Sequence, residues 1–453
     1  MTDTAGAGKH PAQLMPDRES IPPHRRIAAV LDHLGIQRAH FAGGIASDML
    51  GLLLPPEERV ASLTLINPNR LETEPLSRLG KRLGVITGSD GLPSDVVRKG
   101  MPALPDARLV RFAAYYTTTW SDLVREHTHA VIDMLHGLAG DRSSTILSGE
   151  DINGEIKGIR FSATGSGPVL VLLPLLLAPS QWRFALDELA RTFRVILLGG
   201  AHLGMVAMLE SRGSEPGYLR AVGELVDELQ PAPGEKILEI GCGTGVLSRW
   251  IIHRTGGENP FFAADLNPYF LGEARPLAAC RGLNSLTFIQ ADAEHIPLAD
   301  GAIDIVFCAT LLEECDADRT LIEMARVTRP GGRVGAIVRA TDMHNVCTVP
   351  VEPAILKRVL TPYQSVGKKG CADAGLYRRF AALGLEDLRF FPHQLTLRDP
   401  HGAAWSYREP YFLAQFNESE THAWLTAKQI AIDDGSFLFS AGLHCAVGTK
   451  PGP

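Results

Sequence analysis

No CxxC pair occurs among the 453 residues; the seven cysteines, at 242, 280, 308, 315, 347, 371 and 445, stand singly. Such spacing excludes a disulfide-stapled scaffold and a cysteine-rich zinc module, and it suits a reducing compartment. Also missing is an apolar run of bilayer length. The most apolar stretch, 168–179, is broken by Pro174 and falls short of the ~20 residues a spanning helix needs. Residues 1–14 carry a single lysine and no apolar segment, so they read as a disordered tail rather than a secretory signal. Positive charge is in deficit: 44 Lys+Arg against 51 Asp+Glu leave a net charge of −7. A surface of that balance offers no broad basic patch for nucleic acid or anionic lipid. The expectation is a cytoplasmic protein with neither a nucleic acid nor a membrane as partner. What is present is 45% hydrophobic and 21% charged, which excludes a disordered or collagen-like chain. The length predicts two or three domains, each able to bury a core.

Short apolar runs alternate with helical patterns over residues 15–140. Strands are expected at 38–43, 60–67, 83–88 and 107–113, and helices at 25–34 and 123–138. A polar linker, 140–154, leads to a second stretch, 154–204, with strands at 155–163, 169–173 and 194–198 and a helix at 181–192. A helix at 217–230 then opens a third stretch, 231–453, where the alternation resumes. Strand–helix alternation of this kind places the chain in the α/β class with parallel sheets.

The strongest local signal is KILEIGCGTG at 236–245, an apolar strand ending in an acid and a glycine-rich turn before a helix. Gly241, Gly243 and Gly245 let the backbone turn tightly and approach a ligand, while the helix N-terminus offers unpaired N–H groups. FFAAD at 261–265 is a second strand, ending in Asp265 about 20 residues after the glycines, where a carboxylate can accept both ribose hydroxyls. FIQAD ends in Asp292, whose side chain suits either a purine contact or a helix N-cap. A fourth strand at 303–309 and a turn with a fifth strand at 329–338 complete the series.

From about residue 217 to 450 this series resembles the class I S-adenosylmethionine-dependent methyltransferases, through EIGCGTG, QADAEHIPLADGAIDIVF, RVTRPGGRV and the closing FLFSAGLHCAVGTKP. The resemblance implies a Rossmann-like class I methyltransferase sheet over residues 205–453 and S-adenosylmethionine as cofactor. It places Glu239 with Gly241, Cys242, Gly243 and Gly245 near the methionine moiety, Asp265, Leu266 and Asn267 at the ribose, and Asp292 and Ala293 at the adenine. Thr310, within 309–312, would line the methyl donor. Residues 339–434 would form a substrate insert containing Arg339, Asp342, His344, Tyr363, Tyr377, Arg378, His393, Tyr407, Glu409 and Tyr411. His344 and His393 are the candidate catalytic bases, for acceptors that must lose a proton. Glu313 and Glu314 read as first-turn helix acids. Cys242 reads as a packing residue, and Cys308, Cys315, Cys347 and Cys371 do not reproduce an arsenite-methyltransferase thiol set. No metal is expected.

The N-terminal stretches resemble an α/β-hydrolase in rearranged order. LDHLGIQRAHFAGGIASDML to ERVASLTLINP is similar to the segment through the nucleophile elbow, GVITGSDG to the acid-bearing strand, and ARLVRFAAYYTTTWSDL to the terminal strand and histidine loop. Residues 154–204 are similar to the beginning of the same fold. The reading is one circularly permuted α/β-hydrolase-like N-terminal domain over 15–204. Its elbow holds Ile45 where the nucleophile should stand, with Ser47 and Asp48 displaced, and its histidine loop offers Thr117. Without nucleophile and base it predicts a non-catalytic scaffold that helps form a lid, a substrate entrance or a homodimer contact. The sequence therefore predicts methyl transfer to a small-molecule acceptor. An S-adenosylmethionine sensor, and an ester hydrolase with a regulatory cofactor-binding domain, stand as alternatives.

Overall fold

Strands such as VASLTLI and IDIVFCA are buried at nearly every position rather than at alternate ones, the pattern of strands covered on both faces. The computed structural model, which describes residues 21–44, 49–53, 58–117, 121–140, 143–283, 285–362, 364, 366–413 and 415–452, arranges these runs in two sheets. The proposed tail and the elbow residues Ile45, Ser47 and Asp48 lie outside the described residues.

The first sheet contains β1 (Ala39–Gly43), β2 (Val60–Ile66), β3 (Leu83–Thr87), β4 (Arg108–Arg111), β5 (Ile146–Leu147), β6 (Ile152–Ile156), β7 (Ile159–Thr164), β8 (Gly167–Leu172) and β9 (Arg194–Gly199). Its order is β4-β3-β2-β1-β8-β9-β7-β6, with β5 beside β8. β1 pairs with β8 in parallel, Phe41 opposite Val171, so the two N-terminal stretches build one sheet. Three local expectations change. The single strand at 155–163 is a hairpin, because Lys157 and Gly158 both take positive φ (50° and 74°) and reverse the chain between β6 and β7. The 140–154 segment is not a plain linker: β5 and the start of β6 fall within it, and Arg194 donates to the carbonyls of Gly149 and Glu150 at 3.1 and 2.8 Å. The helix at 181–192 is a 3-10 turn, Pro179–Phe184, followed by a short helix, Leu186–Leu189. Fully buried Trp182 pins that turn, donating through Nε1 to the Leu173 carbonyl at 2.7 Å.

The second sheet contains β10 (Ile237–Ile240), β11 (Phe261–Asp265), β12 (Thr287–Gln290), β13 (Ile303–Ala309), β14 (Thr328–Arg339), β15 (Val346–Cys347), β16 (Glu386–Leu397) and β17 (Phe439–Thr449). Its order is β12-β11-β10-β13-β14-β17-β15, parallel from β12 to β14 with β17 antiparallel, and β16 also pairs with β17. Residues 339–434 are therefore not a plain insert. β16 lies inside that range and forms the closing strand pair with β17, from Glu386 opposite Thr449 to Leu397 opposite Phe439. Pro392 obscures it in the sequence, since proline is tolerated in a strand mainly at an edge. Helices Pro216–Leu229 and Val246–Arg254 cover one face, and Ala317–Val327 and Gly375–Ala382 the other.

The two sheets meet through a small apolar cluster: Leu177, Ala178 and Met205 pack on Tyr269 and Phe270 of the Pro268–Ala279 helix. Polar contacts flank it. The Tyr269 hydroxyl donates to Asp122, Arg160 pairs with Glu273, and the Arg183 guanidinium lies 5.2 Å from the Tyr269 ring centre. The first sheet thus rests on the helix that follows Asp265.

Candidate active site

β10 ends beneath β11: the N–H groups of Gly241 and Cys242 both donate to the Ala264 carbonyl, at 2.8 and 3.0 Å. That geometry turns the chain at once, and Gly241, Gly243 and Gly245 all take left-handed φ of 73°, 54° and 71°. A Cβ on Gly241 would lie 2.9 Å from Leu311, and one on Gly243 3.1 Å from Leu209. The side chain of Asp265 fastens the turn, accepting from Gly243 N–H at 2.7 Å and from Asn267 N–H at 2.8 Å. Asn267 in turn caps the next helix, accepting from Tyr269 N–H at 3.0 Å. A carboxylate has about four lone-pair positions, so Asp265 keeps two for a ligand. Leu266 beside it is exposed, presenting an apolar face.

Asp292 is exposed and its Oδ1 accepts from Glu294 N–H at 2.9 Å within a turn, with no helix for it to cap; Ala293 is buried. Thr310 takes φ +55° at the end of β13, a conformation a β-branched residue rarely adopts. Cys242 is buried, and burial pushes its thiol well above the usual range, in keeping with packing rather than nucleophilicity.

Other residues at this turn carry no local signature. Leu209 and Glu210 come from the Gly204–Ser211 helix. Glu210 accepts from Arg249 at 2.7 and 2.5 Å and from the Thr244 hydroxyl at 2.6 Å, and Arg249 also donates to the Thr244 carbonyl at 2.6 Å. Arg212 donates to the Thr310 hydroxyl at 3.2 Å and stacks 5.4 Å from the Tyr218 ring centre. The Tyr218 hydroxyl is buried and makes no hydrogen bond of good geometry. Helical periodicity marks Tyr218 only as an apolar-face residue, and nothing in the sequence marks Arg212.

The candidate bases sit elsewhere. His393 lies on β16, four strand spacings from β10 or roughly 19 Å, with Nε2 2.6 Å from Glu224. His344 is exposed on the connection after β14. Tyr363 lies outside the described residues. Glu313 is not a first-turn helix acid: the helix starts at Ala317 with Asp316 as its N-cap, and Glu313 is fully buried in the preceding turn.

Residues 238–336 match a family model described as a methyltransferase domain. The ubiquinone/menaquinone biosynthesis C-methyltransferase UbiE of Acidiphilium cryptum is 32% identical over 180 residues, 38% of this chain and 67% of that protein. The chain belongs to the class I S-adenosylmethionine-dependent methyltransferases. A second relative of the methyltransferase, GfsG of Streptomyces halstedii, is 34% identical over 138 residues, 29% of this chain; the match spans only 49% of GfsG. Among solved structures, a methyltransferase from an antibiotic biosynthesis pathway of Anabaena variabilis aligns at 14% identity and a TM-score of 0.37, over 52% of this chain and 99% of that one. The methyltransferase uses S-adenosylmethionine, and the left-handed glycine turn with the Asp265 carboxylate beside it fits that group. No described helix is long and apolar enough to cross a membrane.

One consequence concerns Glu239 at the end of β10. Burial pushes its carboxyl up to about 7 from 4.5, against the opposing hydrogen bond from Ser248. A folded value above the unfolded one means that the native state holds its proton longer. Stability is therefore full below about pH 4.5 and falls as pH rises through about 7. Glu239→Gln is expected to remove a fall on the order of 3 kcal/mol between these limits. Urea unfolding at pH 5 and pH 8 without cofactor checks this; an unchanged difference between the two pH values refutes it.

Proposed function

We propose that the protein transfers a methyl group to a small-molecule acceptor in the cytoplasm, with the donor seated on Gly241–Gly245. The observation that carries the reading is the Asp265 carboxylate, which clamps the glycine turn and keeps two acceptor positions for ribose hydroxyls. Leu266 and Asn267 flank the ribose, Asp292 and Ala293 face the adenine, and Glu239 and Thr310 border the methionine moiety. Arg212 is assigned the methionine carboxylate, since its guanidinium reaches Thr310 at the mouth of β13. When bound, S-adenosylmethionine supplies an electrophilic methyl carbon on a sulfonium. The chain's residues orient it and exclude water. A small organic acceptor is supported by UbiE, which is named for ubiquinone/menaquinone biosynthesis.

For residues 15–204 we propose a permuted, non-catalytic α/β-hydrolase-like domain covering the cofactor side of the methyltransferase sheet. The parallel β1–β8 pairing supports the permutation. Thr117, in the histidine loop, is fully buried in a hydroxyl network, 2.8 Å from Ser94 and donating to the Asp90 carbonyl at 3.0 Å. That is a structural use, and a threonine so engaged does not replace the histidine.

Calorimetric titration with S-adenosylmethionine and S-adenosylhomocysteine tests the donor site, followed by an acceptor screen with labelled donor. Micromolar binding is expected; no binding overturns the reading, and binding without any methylated product favours a sensor. Turnover of a chromogenic ester would restore the hydrolase alternative. Arg212→Ala is expected to weaken S-adenosylhomocysteine binding by about 1.5–3 kcal/mol, the scale of a hydrogen bond to a charged group, while leaving adenosine affinity unchanged. An equal loss for adenosine would place Arg212 elsewhere.

A further inference from the structure

The helix that follows Asp265 is poorly built to hold its own N-terminal end. In Pro268–Ala279, Pro276 has no N–H to offer the Gly272 carbonyl, and Gly272 is exposed, with open space where a Cβ would lie. Leu271 and Ala278 pack into the core of the second sheet, but Tyr269 and Phe270 of the first turn pack against Leu177, Ala178 and Met205. Cover for that turn therefore comes from the chain before residue 217. Polar contacts fall on the same stretch: Asp122 accepts from the Tyr269 hydroxyl, and Arg160 of β7 pairs with the buried carboxylate of Glu273. Burial pushes the Glu273 carboxyl up and Glu210 adds to the rise, while Arg160 opposes both. The same turn is tied to the donor site. Its N-cap, Asn267, accepts from Tyr269 N–H at 3.0 Å and donates its own N–H at 2.8 Å to Asp265, the carboxylate that also holds Gly243.

We propose that Asp122 and Arg160 are positioning residues for the methyl donor: by holding the first turns of Pro268–Ala279 they fix Asp265 and Asn267 at the ribose. This rests on the donor site proposed above. Each acts through the helix, Asp122 by way of Tyr269 and Arg160 by way of Glu273, and not by contact with the donor. A turn already held in place has less conformational freedom to lose when the ligand orders it, so binding is tighter. The effect belongs to the ribose end. Arg212 and Thr310, assigned to the methionine moiety, stand on other elements and are joined to each other. Linkage makes the coupling reciprocal, so bound donor steadies the contact between the two sheets by the factor through which that contact tightens binding. The first sheet is then part of the donor site's machinery, although it supplies no group to the ligand.

The test titrates S-adenosylhomocysteine and adenosine into the full chain by calorimetry. Arg160→Met and Tyr269→Phe are each expected to weaken both ligands by a common factor of about 5–20, unlike Arg212→Ala, which spares adenosine. Gly272→Ala stiffens the helix without a clash and is expected to regain at least about twofold in either background. Arg194→Met serves as the control for stability alone. It removes bonds to the Gly149, Glu150 and Gly165 carbonyls at the opposite end of β9 from Gly199, the residue paired with Arg160. Both affinities are expected to stay within about twofold of wild type in that variant. In the wild type, saturating S-adenosylhomocysteine is expected to slow amide exchange across residues 177–184, and exchange unchanged by the ligand overturns the coupling. Wild-type affinity in both Arg160→Met and Tyr269→Phe overturns the role. So does an equal loss in Arg194→Met, which would make stability alone responsible. If Arg160→Met does not fold, Tyr269→Phe decides, since it removes one hydroxyl and keeps the ring. A wild type that binds no S-adenosylhomocysteine overturns the donor site, and this role with it.

Discussion

Glu210→Ala is expected to lower the unfolding free energy by about 3–5 kcal/mol, the cost of stranding a buried charge. Arg249 is 0% exposed at its side chain and Glu210 8%, and two of the guanidinium's bonds end on that carboxylate. With Glu210 gone, Arg249 keeps the Thr244 carbonyl as its acceptor among the described residues and, fully buried, cannot reach water. The hydroxyl of Thr244 loses its acceptor as well. Replacing both charges by apolar residues of similar size, Glu210→Leu with Arg249→Met, is expected to recover most of the loss, because the desolvation cost disappears along with the attraction. Urea unfolding of the single and double variants separates these effects. A loss under about 1 kcal/mol for Glu210→Ala would mean that water reaches the pair.

Asp265→Ala is expected to weaken S-adenosylmethionine binding by roughly 3 kcal/mol or more, about 100-fold, because two separate contributions go together. One is direct: the lone pairs left for ribose vanish. The other is preorganisation, since the carboxylate ties Gly243 N–H to Asn267 N–H and so holds the glycine turn against the start of the next helix. Asp265→Asn separates the two, because its single carbonyl oxygen can hold one of these N–H groups at most with full strength. It is expected to fall between wild type and alanine. Calorimetry on the three proteins checks the order, and an alanine variant that binds like wild type would move the ribose elsewhere.

The methyltransferase sheet was legible because its information is local. EIGCGTG states a strand, a strand-end acid and three left-handed positions within a few residues, and the structure uses them within the same few residues. Asp265 was legible for the same reason, being placed by its distance from those glycines. Arg212, Tyr218 and Glu210 were not, because their partners, Thr310, Arg249 and Thr244, are reached only through tertiary packing. Glu313 was misread as a helix acid because an acid pair before a helical pattern is the ordinary first-turn signal, and only burial separates the two cases. β16 was lost inside 339–434 because Pro392 argues against a strand unless the strand is known to lie at an edge. In the first sheet, the 155–163 hairpin hid behind continuous β-propensity that gave no weight to Lys157-Gly158 as a turn.

The Gly204–Ser211 helix bears on how this protein can be divided. By position in the chain it closes the N-terminal half, and by contact it belongs to the glycine turn of the other half. A methyltransferase fragment cut at residue 217, where the family likeness begins, would leave Arg249 without its counter-charge and Gly243 without the Leu209 methyl groups above it. The workable excision point lies before Gly204, so the two halves are not interchangeable cassettes. Any shuffled version that exchanges the N-terminal sheet has to carry residues 204–216 with the catalytic partner.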